Sequence, residues 1–397
     1  MLQITNQSWI RGERPLLSGA AGNRKHIKRM ETMKSPIRMR LNITLSLALL
    51  TLVLFTSTAN AQTTPPTFLD GLTLNGFVDA YYTYNLNKPP SGKNSLYNFN
   101  FNHNSMNLNL VELSIARAAA PLGFKIDLNY GDAAKAIHGA EPGGVDVYQH
   151  IQEAYVTYLA PNGIQIDGGK YVTKHGAEVI ETHANWNYSR GLLFAWAIPY
   201  YHLGVHATFP IHDKFIAGTS VSNGWNNAVD NNGQKTVGLH ATIKPTGSLT
   251  LTQNYMFGAE GADPDAKRYL SDTTLAVNYK RLGLMANYDY GTDRAATGKK
   301  VVWRGIASYA RVNVTDRFKF GGRFEYYDDV NGFTTGTAQE LKEGTLTAEL
   351  RIVNNMLWRT EYRRDVSNNP VFDTSTGFEK SQDTFTLGFV YVIGGVN

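Results

Sequence analysis

The 397-residue sequence contains no cysteine, so a disulfide framework and thiol chemistry are both excluded. It also lacks the glycine-rich phosphate loop, the dinucleotide-binding fingerprint and the zincin motif, each of which is recognisable by its spacing. We therefore predict that the protein is not an enzyme and that it needs no cofactor. Without covalent cross-links, the fold must depend on backbone pairing and packing alone.

Most of the chain carries no excess of positive charge, although the formal net charge of the whole sequence is +5. Residues 1–61 hold nine of the 38 basic and two of the 33 acidic residues, which leaves 29 basic and 31 acidic residues in 62–397. That segment has a net charge of −2. We therefore expect no nucleic-acid partner.

Long hydrophobic runs are scarce, and the one at residues 41–55 is too short to be a membrane anchor, because about 20 apolar residues are needed to span a bilayer. Lys34, Arg38 and Arg40 precede this run, and Ala59-Asn60-Ala61 follows it. A positive segment, an apolar segment and a small-x-small site together predict a signal peptide at 33–61 that is cleaved after Ala61. We expect residues 1–32 to be an extension upstream of the true start.

From Leu72 onward the dominant hydrophobic period is two, which predicts β-strands. In the segment 122–130, for example, Leu122, Phe124 and Ile126 share one face and Lys125 and Asp127 the other. Strand 2 is less regular, because its apolar residues change phase after position 110, and this predicts a β-bulge. We count about sixteen strands, near 72–84, 106–117, 122–131, 147–159, 164–172, 202–209, 214–222, 235–244, 248–257, 273–280, 282–290, 301–311, 317–327, 341–351, 356–365 and 383–393.

The connections between these strands alternate between short turns and long polar loops rich in Asn, Gly and Asp. Outward-facing Tyr and Phe residues near both strand ends, such as Tyr255, Tyr288 and Tyr391, predict two aromatic girdles at the membrane interfaces. A soluble sandwich does not account for either pattern. We predict that residues 62–397 form an all-β, closed antiparallel transmembrane β-barrel of about 16 strands with short periplasmic turns and long extracellular loops.

One central block of the sequence resembles the OmpL-like outer-membrane β-barrel porin family. The block consists of 152–161 (QEAYVTYLAP), 169–173 (GKYVT), 175–178 (HGAE), 187–190 (NYSR), 199–202 and Gly204-Val205. The general likeness runs from about Leu69 to the end of the chain. What the resemblance implies is an outer-membrane barrel that acts as a porin and has no assigned catalytic residue.

Several histidines could be mistaken for a metal site. His206 and His240 face the lumen on strands that are not neighbours, so we interpret them as residues of a wet pore. His175 and His183 share a loop with Glu178 and Glu181, but their spacing fits no regular metal signature. We therefore predict no metal site.

The function that we predict is an outer-membrane porin with a water-filled channel for passive diffusion of small polar solutes or ions, because sixteen strands enclose an aqueous lumen. Its expected partners are outer-membrane lipid and those solutes, and a homo-oligomer is compatible with this interpretation. The alternative hypothesis is a plugged barrel that acts as a surface-interaction protein or an outer-membrane hydrolase.

Two groups of charged residues are predicted to line the pore, as a basic wall and an acidic wall that together set up a transverse field. The alternative is that these charges are solvated and paired locally. The basic residues are Arg304, Lys319, Arg323, Arg351, Arg359 and Arg363. The acidic residues are Asp79, Asp127, Glu153 and Asp167.

The longest loop, 173–201, carries both aromatic and charged residues. We expect it to fold into the lumen and to form the constriction, with Lys174, Glu178, Glu181 and Arg190 as constriction residues. The alternative is a lid on the outer surface.

Overall fold

The computed structural model of the protein describes residues 71–139, 148–261, 263–295 and 298–394. The predicted extension 1–32 and the predicted signal peptide 33–61 lie outside these residues. In the part of the chain that is described, no helix is both long and apolar enough to cross a bilayer.

Eighteen strands and one α-helix make up the regular structure of the described residues. The strands are β1 (Leu72–Asn85), β2 (Ser105–Arg117), β3 (Leu122–Tyr130), β4 (Ile151–Leu159), β5 (Gln165–Val172), β6 (Tyr201–His212), β7 (Phe215–Ser222), β8 (Thr236–Thr246), β9 (Leu249–Ala259), β10 (Lys267–Tyr279), β11 (Leu282–Arg294), β12 (Lys300–Asn313), β13 (Phe318–Asp329), β14 (Gln339–Val353), β15 (Met356–Ser367), β16 (Phe372–Thr374), β17 (Gly377–Glu379) and β18 (Ser381–Ile393). The helix α1 is Asp132–His138, and short helical turns lie at Tyr148–His150, Thr182–Ala184 and Leu193–Ala197.

Sixteen of these strands form one closed antiparallel barrel. Each strand pairs with its neighbours in sequence, and β18 closes the ring by pairing with both β15 and β1. The remaining two strands, β16 and β17, form a separate hairpin in the loop between β15 and β18. Closure leaves none of the sixteen barrel strands with an unpaired edge. The predicted fold class, with its sixteen strands, is confirmed.

The outer face of the barrel is apolar, as a lipid-facing surface requires. Large apolar side chains at alternate positions are exposed, for example Leu346 in β14, Phe324 in β13 and Ile126 in β3. Their neighbours on the inner face are polar and buried, for example Thr345 and Arg323. The period of two therefore separates a lipid-facing surface from a polar interior.

The predicted bulge in β2 is confirmed. Asp79 of β1 is opposite Leu110, whereas the next residue, Ala80, is opposite Leu108, so Asn109 has no partner across the ladder. The extra residue turns the Asn109 side chain inward, where its amide donates a hydrogen bond of 2.6 Å to Asp79 Oδ2.

A charge in the middle of the outer face should destabilise the barrel in lipid. We predict that Leu346→Arg lowers the free energy of unfolding of the barrel in lipid vesicles by about 2–4 kcal/mol, because the guanidinium would lie near the bilayer midplane. Glu340→Arg is the control, since Glu340 is an exposed charged residue near the end of the same strand. Urea titration of the vesicle-bound protein measures both. Equal costs at the two positions would contradict the assigned outer face.

Candidate functional site

The loop between β5 and β6, residues 173–200, enters the barrel and packs against its inner wall. We call it the lumen loop. Its side chains Tyr188, Leu192 and Leu193 are almost completely buried. It contacts inward-facing residues of strands that are far away in sequence, on β1 and on β12 to β15. The barrel wall thus supplies partners for a chain segment that has little regular structure of its own.

Asp79 of β1 is one anchor of the lumen loop. Its carboxylate accepts hydrogen bonds from Thr182 Oγ1 at 2.5 Å and from Tyr188 Oη at 2.6 Å. Burial raises the pKa of the Tyr188 hydroxyl well above its usual value, and the Asp79 carboxylate raises it further. The Tyr188 hydroxyl therefore keeps its proton and donates a hydrogen bond to Asp79.

Two wall carboxylates bind backbone N–H groups of the lumen loop. Glu361 accepts hydrogen bonds from the amides of Tyr188 at 2.6 Å and Ser189 at 2.9 Å. Glu325 accepts hydrogen bonds from the amides of Leu192 at 2.5 Å and Leu193 at 3.3 Å. Amides that would otherwise be unpaired in this irregular segment are satisfied, which removes a cost of about 1–3 kcal/mol for each.

Three wall arginines bind the carbonyl groups of the same segment. Arg359 donates to the carbonyls of Thr182, Asn185 and Asn187 at 2.6–3.0 Å. Arg363 donates to the carbonyl of Arg190 at 2.7 Å, and Arg323 donates to that of Ser189 at 2.7 Å. Each arginine also pairs with a wall carboxylate: Arg323 with Glu343, Arg359 with Glu349 and Arg363 with Asp365.

These contacts correct part of the predicted basic wall. Arg323, Arg359 and Arg363 point inward, but their side chains are at most 2% exposed, because the lumen loop covers them. They bind the loop and do not face open water. Asp79 lies beneath the loop in the same way and is 0% exposed.

Two of the four predicted constriction residues also lie in this packed interface. Glu178 accepts a hydrogen bond of 2.6 Å from Arg323 and another of 2.6 Å from the amide of Gly191. Arg190 is buried and donates to three carbonyls of its own loop, including those of Val179 and Tyr188. Both residues therefore stabilise the conformation of the loop. Lys174 is exposed and Glu181 is half-buried, so these two remain able to contact solvent.

Inward-facing glycines give the lumen loop room to approach the wall. A Cβ atom at Gly388 would lie 2.3 Å from the Tyr188 ring, and one at Gly321 would lie 2.7 Å from the carbonyl oxygen of Trp186. Such distances are well inside van der Waals contact. The wall is shaped to fit the loop at these points.

The loop between β1 and β2, residues 86–104, covers the lumen loop near the end of the barrel that carries the long connections. The Phe99 ring lies 5.8 Å from Phe194 and 6.3 Å from Tyr200, and the Arg190 guanidinium lies 4.6 Å above Phe99. Tyr97 is stacked in the same way under Arg363, at 4.2 Å. This part of the barrel interior therefore has a small hydrophobic core.

The predicted acidic residues of strands 3 to 5 face inward and have local partners. Lys125 forms ion pairs with Asp127 and Glu153. Asp167 accepts hydrogen bonds from Thr157 at 2.6 Å and from Gln165. All three carboxylates are buried, whereas the Lys125 side chain is 33% exposed.

Arg304 is placed on the wrong face by the sequence prediction. It lies on the outer surface beside exposed Ile306, is 53% exposed and pairs with Asp328 at 3.0 Å. Trp303 and Tyr309 occupy the inner face of β12 instead. Both faces of this strand carry apolar residues, so alternation alone does not distinguish them.

Because the prediction exchanged the inner and outer faces of β12, it also missed Arg311, which faces inward. It is partly exposed near the short-turn end of the barrel, and its guanidinium lies 4.7 Å from the Trp186 ring of the lumen loop. Lys319 and Arg351, both predicted as pore-lining, lie near the same end on β13 and β14 and are also partly exposed. We call these three residues the basic mouth.

A sixteen-strand barrel with a long inward-folded loop has the architecture of outer-membrane porins. The family described as "Putative beta-barrel porin-2, OmpL-like" matches residues 71–393, and the chain belongs to this family. The protein is therefore an outer-membrane porin. No curated protein matches the chain.

Solved structures with the same fold are distant in sequence. An anion-selective porin from Comamonas acidovorans has a TM-score of 0.56 at 12% identity, covering 81% of this chain and 99% of its own. The outer-membrane channel DcaP of Acinetobacter baumannii has 0.55 at 12%, covering 81% and 97%. The trimer form of OmpT from Vibrio cholerae has 0.56 at 12%, covering 81% and 98%. At such identities the likeness shows the fold alone.

A side chain added beneath the lumen loop should weaken its docking. We predict that Gly388→Ala lowers the free energy of unfolding by about 1–3 kcal/mol, because the new methyl group overlaps the Tyr188 ring. Gly344→Ala is the matched control, since a Cβ atom there meets no atom of the described residues within 4 Å. Urea unfolding in detergent, followed by tryptophan fluorescence, measures both. Equal stability of the two variants would contradict the close loop contact.

Proposed function

We propose that the protein is a passive channel for small polar solutes or ions, and that the lumen loop forms its narrowest part. The observation that carries this proposal is the anchoring of the loop on one side of the wall, from β12 through β15 and β18 to β1. Charged side chains that remain partly exposed inside the barrel, such as Lys125 and those of the basic mouth, supply a polar path beside it.

The same contacts support a non-enzymatic role. The buried carboxylates that could act as acids or bases, such as Glu325 and Glu361, already bind backbone amides of the lumen loop. A group held in this way is not free to reach a substrate. We therefore prefer a channel to an outer-membrane hydrolase.

Export and assembly complete the proposal. We propose that residues 33–61 direct secretion and are cleaved after Ala61, on the sequence pattern alone. We also propose a homo-oligomer in the outer membrane, because a structural relative from Vibrio cholerae is described as a trimer.

Removing the anchored part of the lumen loop should widen the pore. We predict that deletion of 178–190 raises single-channel conductance in planar bilayers severalfold. The barrel should tolerate this deletion, because Arg323, Arg359 and Arg363 keep their wall carboxylates and water replaces the loop carbonyls.

The control for this deletion is removal of 375–378, the exposed tip of the β16–β17 hairpin. It should leave conductance unchanged. Unaltered conductance in a correctly folded 178–190 deletion would show that the loop does not limit the pore. A wild-type protein that never conducts would instead favour the plugged barrel.

The basic mouth should influence ion selectivity. We predict that replacing Arg311, Lys319 and Arg351 together by Gln makes the channel more cation-selective, which is measured as a shift of the reversal potential in a KCl gradient. The shift should be larger at 0.1 M than at 1 M salt, where the screening length falls to about 3 Å. Arg304→Gln, on the outer face, is the control and should have no effect. A triple variant that keeps the wild-type reversal potential would exclude these residues from the ion path.

A further inference from the structure

Three basic residues lie side by side on the barrel, at the end that carries the long connections. Lys267 is the first residue of β10, Arg294 is the last residue of β11 and Lys300 is the first residue of β12. Arg294 and Lys300 are directly opposite each other in the ladder. Tyr269 is opposite Thr292, and two residues further along each strand Lys267 comes beside Arg294. We call these three residues the outer basic row.

The neighbours of the outer basic row show that its side chains point away from the lumen. Arg268 and Asp293 face the interior, where they form an ion pair at 2.7 Å, and Trp303 is buried inside the barrel. Each row residue is one or three positions away from one of these residues. Because side chains alternate along a strand, the row lies on the outer face.

The charge of the outer basic row is not neutralised within the protein. None of its three side chains forms an ion pair with another residue in the part of the chain that the structure describes. Like charges directly opposite each other on neighbouring strands destabilise a ladder. An anion that contacts adjacent members of the row would relieve this repulsion through charge-assisted hydrogen bonds.

The outer basic row lies just beyond the hydrocarbon core of the membrane. The strands β10 and β11 have 13 residues each, whereas about 9–11 residues are enough for a tilted strand to cross that core. At their other ends Tyr279 and Leu282 pair beside a short turn. Short turns of such barrels are periplasmic and long loops are extracellular. The row is therefore at the level of the outer-leaflet headgroups.

An apolar surface continues from the outer basic row toward the middle of the membrane. On β10 and β11, Tyr269 is 53% exposed and Tyr288 is 44% exposed, and Leu275 and Leu284 are exposed nearer to the short turns. Tyrosine rings favour the membrane interface, and leucine side chains suit the hydrocarbon core. A lipid at this place can therefore put an anionic headgroup on the row and its acyl chains on the surface below.

Adjacent unpaired cations are a local feature of β10 to β12. On four other strands, β2, β3, β7 and β9, the exposed outward residues near the same end of the barrel are apolar or aromatic. They are Met106, Tyr130, Val221 and Phe257. The next outward cation on β12, Arg304, already pairs with Asp328. The row therefore differs from its surroundings in the way that a specific contact with an anion requires.

We propose that the outer basic row binds the phosphate groups of lipopolysaccharide, the phosphorylated glycolipid of the outer leaflet. Its headgroup supplies the anion, and its acyl chains fit the apolar surface beneath the row. A solute inside the lumen cannot be the ligand, because the row is on the outer face. The proposal depends on the outer-membrane location of the protein and not on conduction through its lumen.

Binding is tested by native mass spectrometry of the folded, tag-free protein in a neutral detergent, titrated with short-chain lipopolysaccharide. EDTA is present, so that divalent cations do not bridge the lipid to carboxylates. Replacing Lys267, Arg294 and Lys300 together by Gln should weaken binding about a hundredfold, because each basic residue near an anionic membrane surface contributes roughly fivefold. Arg294→Gln alone, with about a fivefold effect, keeps the test valid if the triple variant fails to fold.

The matched control removes the same charge at the other end of the barrel. It replaces Lys214, Lys244 and Lys280, which are exposed near the short turns, together by Gln. This variant should bind lipopolysaccharide like the wild type. Each variant is first checked for a folded barrel by its heat-modifiable mobility on gels.

Two further ligands distinguish the lipid from other anions. Lipopolysaccharide without its phosphates should bind the wild type as weakly as the intact lipid binds the triple row variant. An excess of inorganic phosphate should not displace the intact lipid, because it lacks the acyl chains. Displacement would assign the row to free anions and overturn the proposal. Equally tight binding of the intact lipid by the row variant and the control would overturn it as well.

Discussion

Every backbone N–H and C=O group that faces lipid or is buried at membrane depth must find a partner inside the protein, because lipid tails offer none. The sixteen-strand ring satisfies this constraint for the strands. The lumen loop lies inside the ring with little regular structure, and where it packs against the wall and excludes water, the wall must supply its partners. Glu325 and Glu361 accept from its amides, and Arg359 donates to its carbonyls. The polar side chains of the wall thus make the backbone hydrogen bonds that a β-ladder would otherwise provide for this segment.

This requirement explains why the interior is both charged and dry near the loop. Asp79, Glu325 and Arg359 are at most 1% exposed, yet each has several hydrogen bonds. Buried charges are tolerated when they are paired and fully hydrogen-bonded. The predicted transverse field assumed that the charged residues of the two predicted walls face water. In the structure, four of the ten residues predicted to set up this field bind the lumen loop, namely Asp79, Arg323, Arg359 and Arg363. The charges left for solutes are those of the basic mouth and a few others.

The sequence predicts the barrel well because lipid selects apolar residues at every second position. The segment 122–130 has one such face, and its strand β3 is where the pattern places it. In β12 the same rule fails, since Trp303 and Tyr309 pack against the lumen loop and make the inner face apolar too. Where protein replaces water inside the barrel, alternation no longer separates the two faces.

The site was less predictable than the barrel because its contacts join residues that are far apart in sequence. Asp79 binds Tyr188, and Glu178 binds Arg323, and no local sequence pattern predicts either pair. The contact between the rings of His206 and His240 was missed for a related reason. His206 and His240 lie on strands that are not neighbours, and only the small residues of β7 bring them together. Small residues between two bulky inward groups are a signal that could have been used.

The choice of arginine at the loop contacts follows from the number of its donors. Arg359 holds the Glu349 carboxylate with Nε and Nη2 while it also donates to three loop carbonyls. Lysine has three donors on one nitrogen and could not serve both partners in this planar geometry. Each of the three arginines has a carboxylate partner on the wall, and Arg323 has a second one, Glu178, on the loop. The wall carboxylates therefore offset the arginine charges, and the loop carbonyls accept from the donors that these ion pairs leave free.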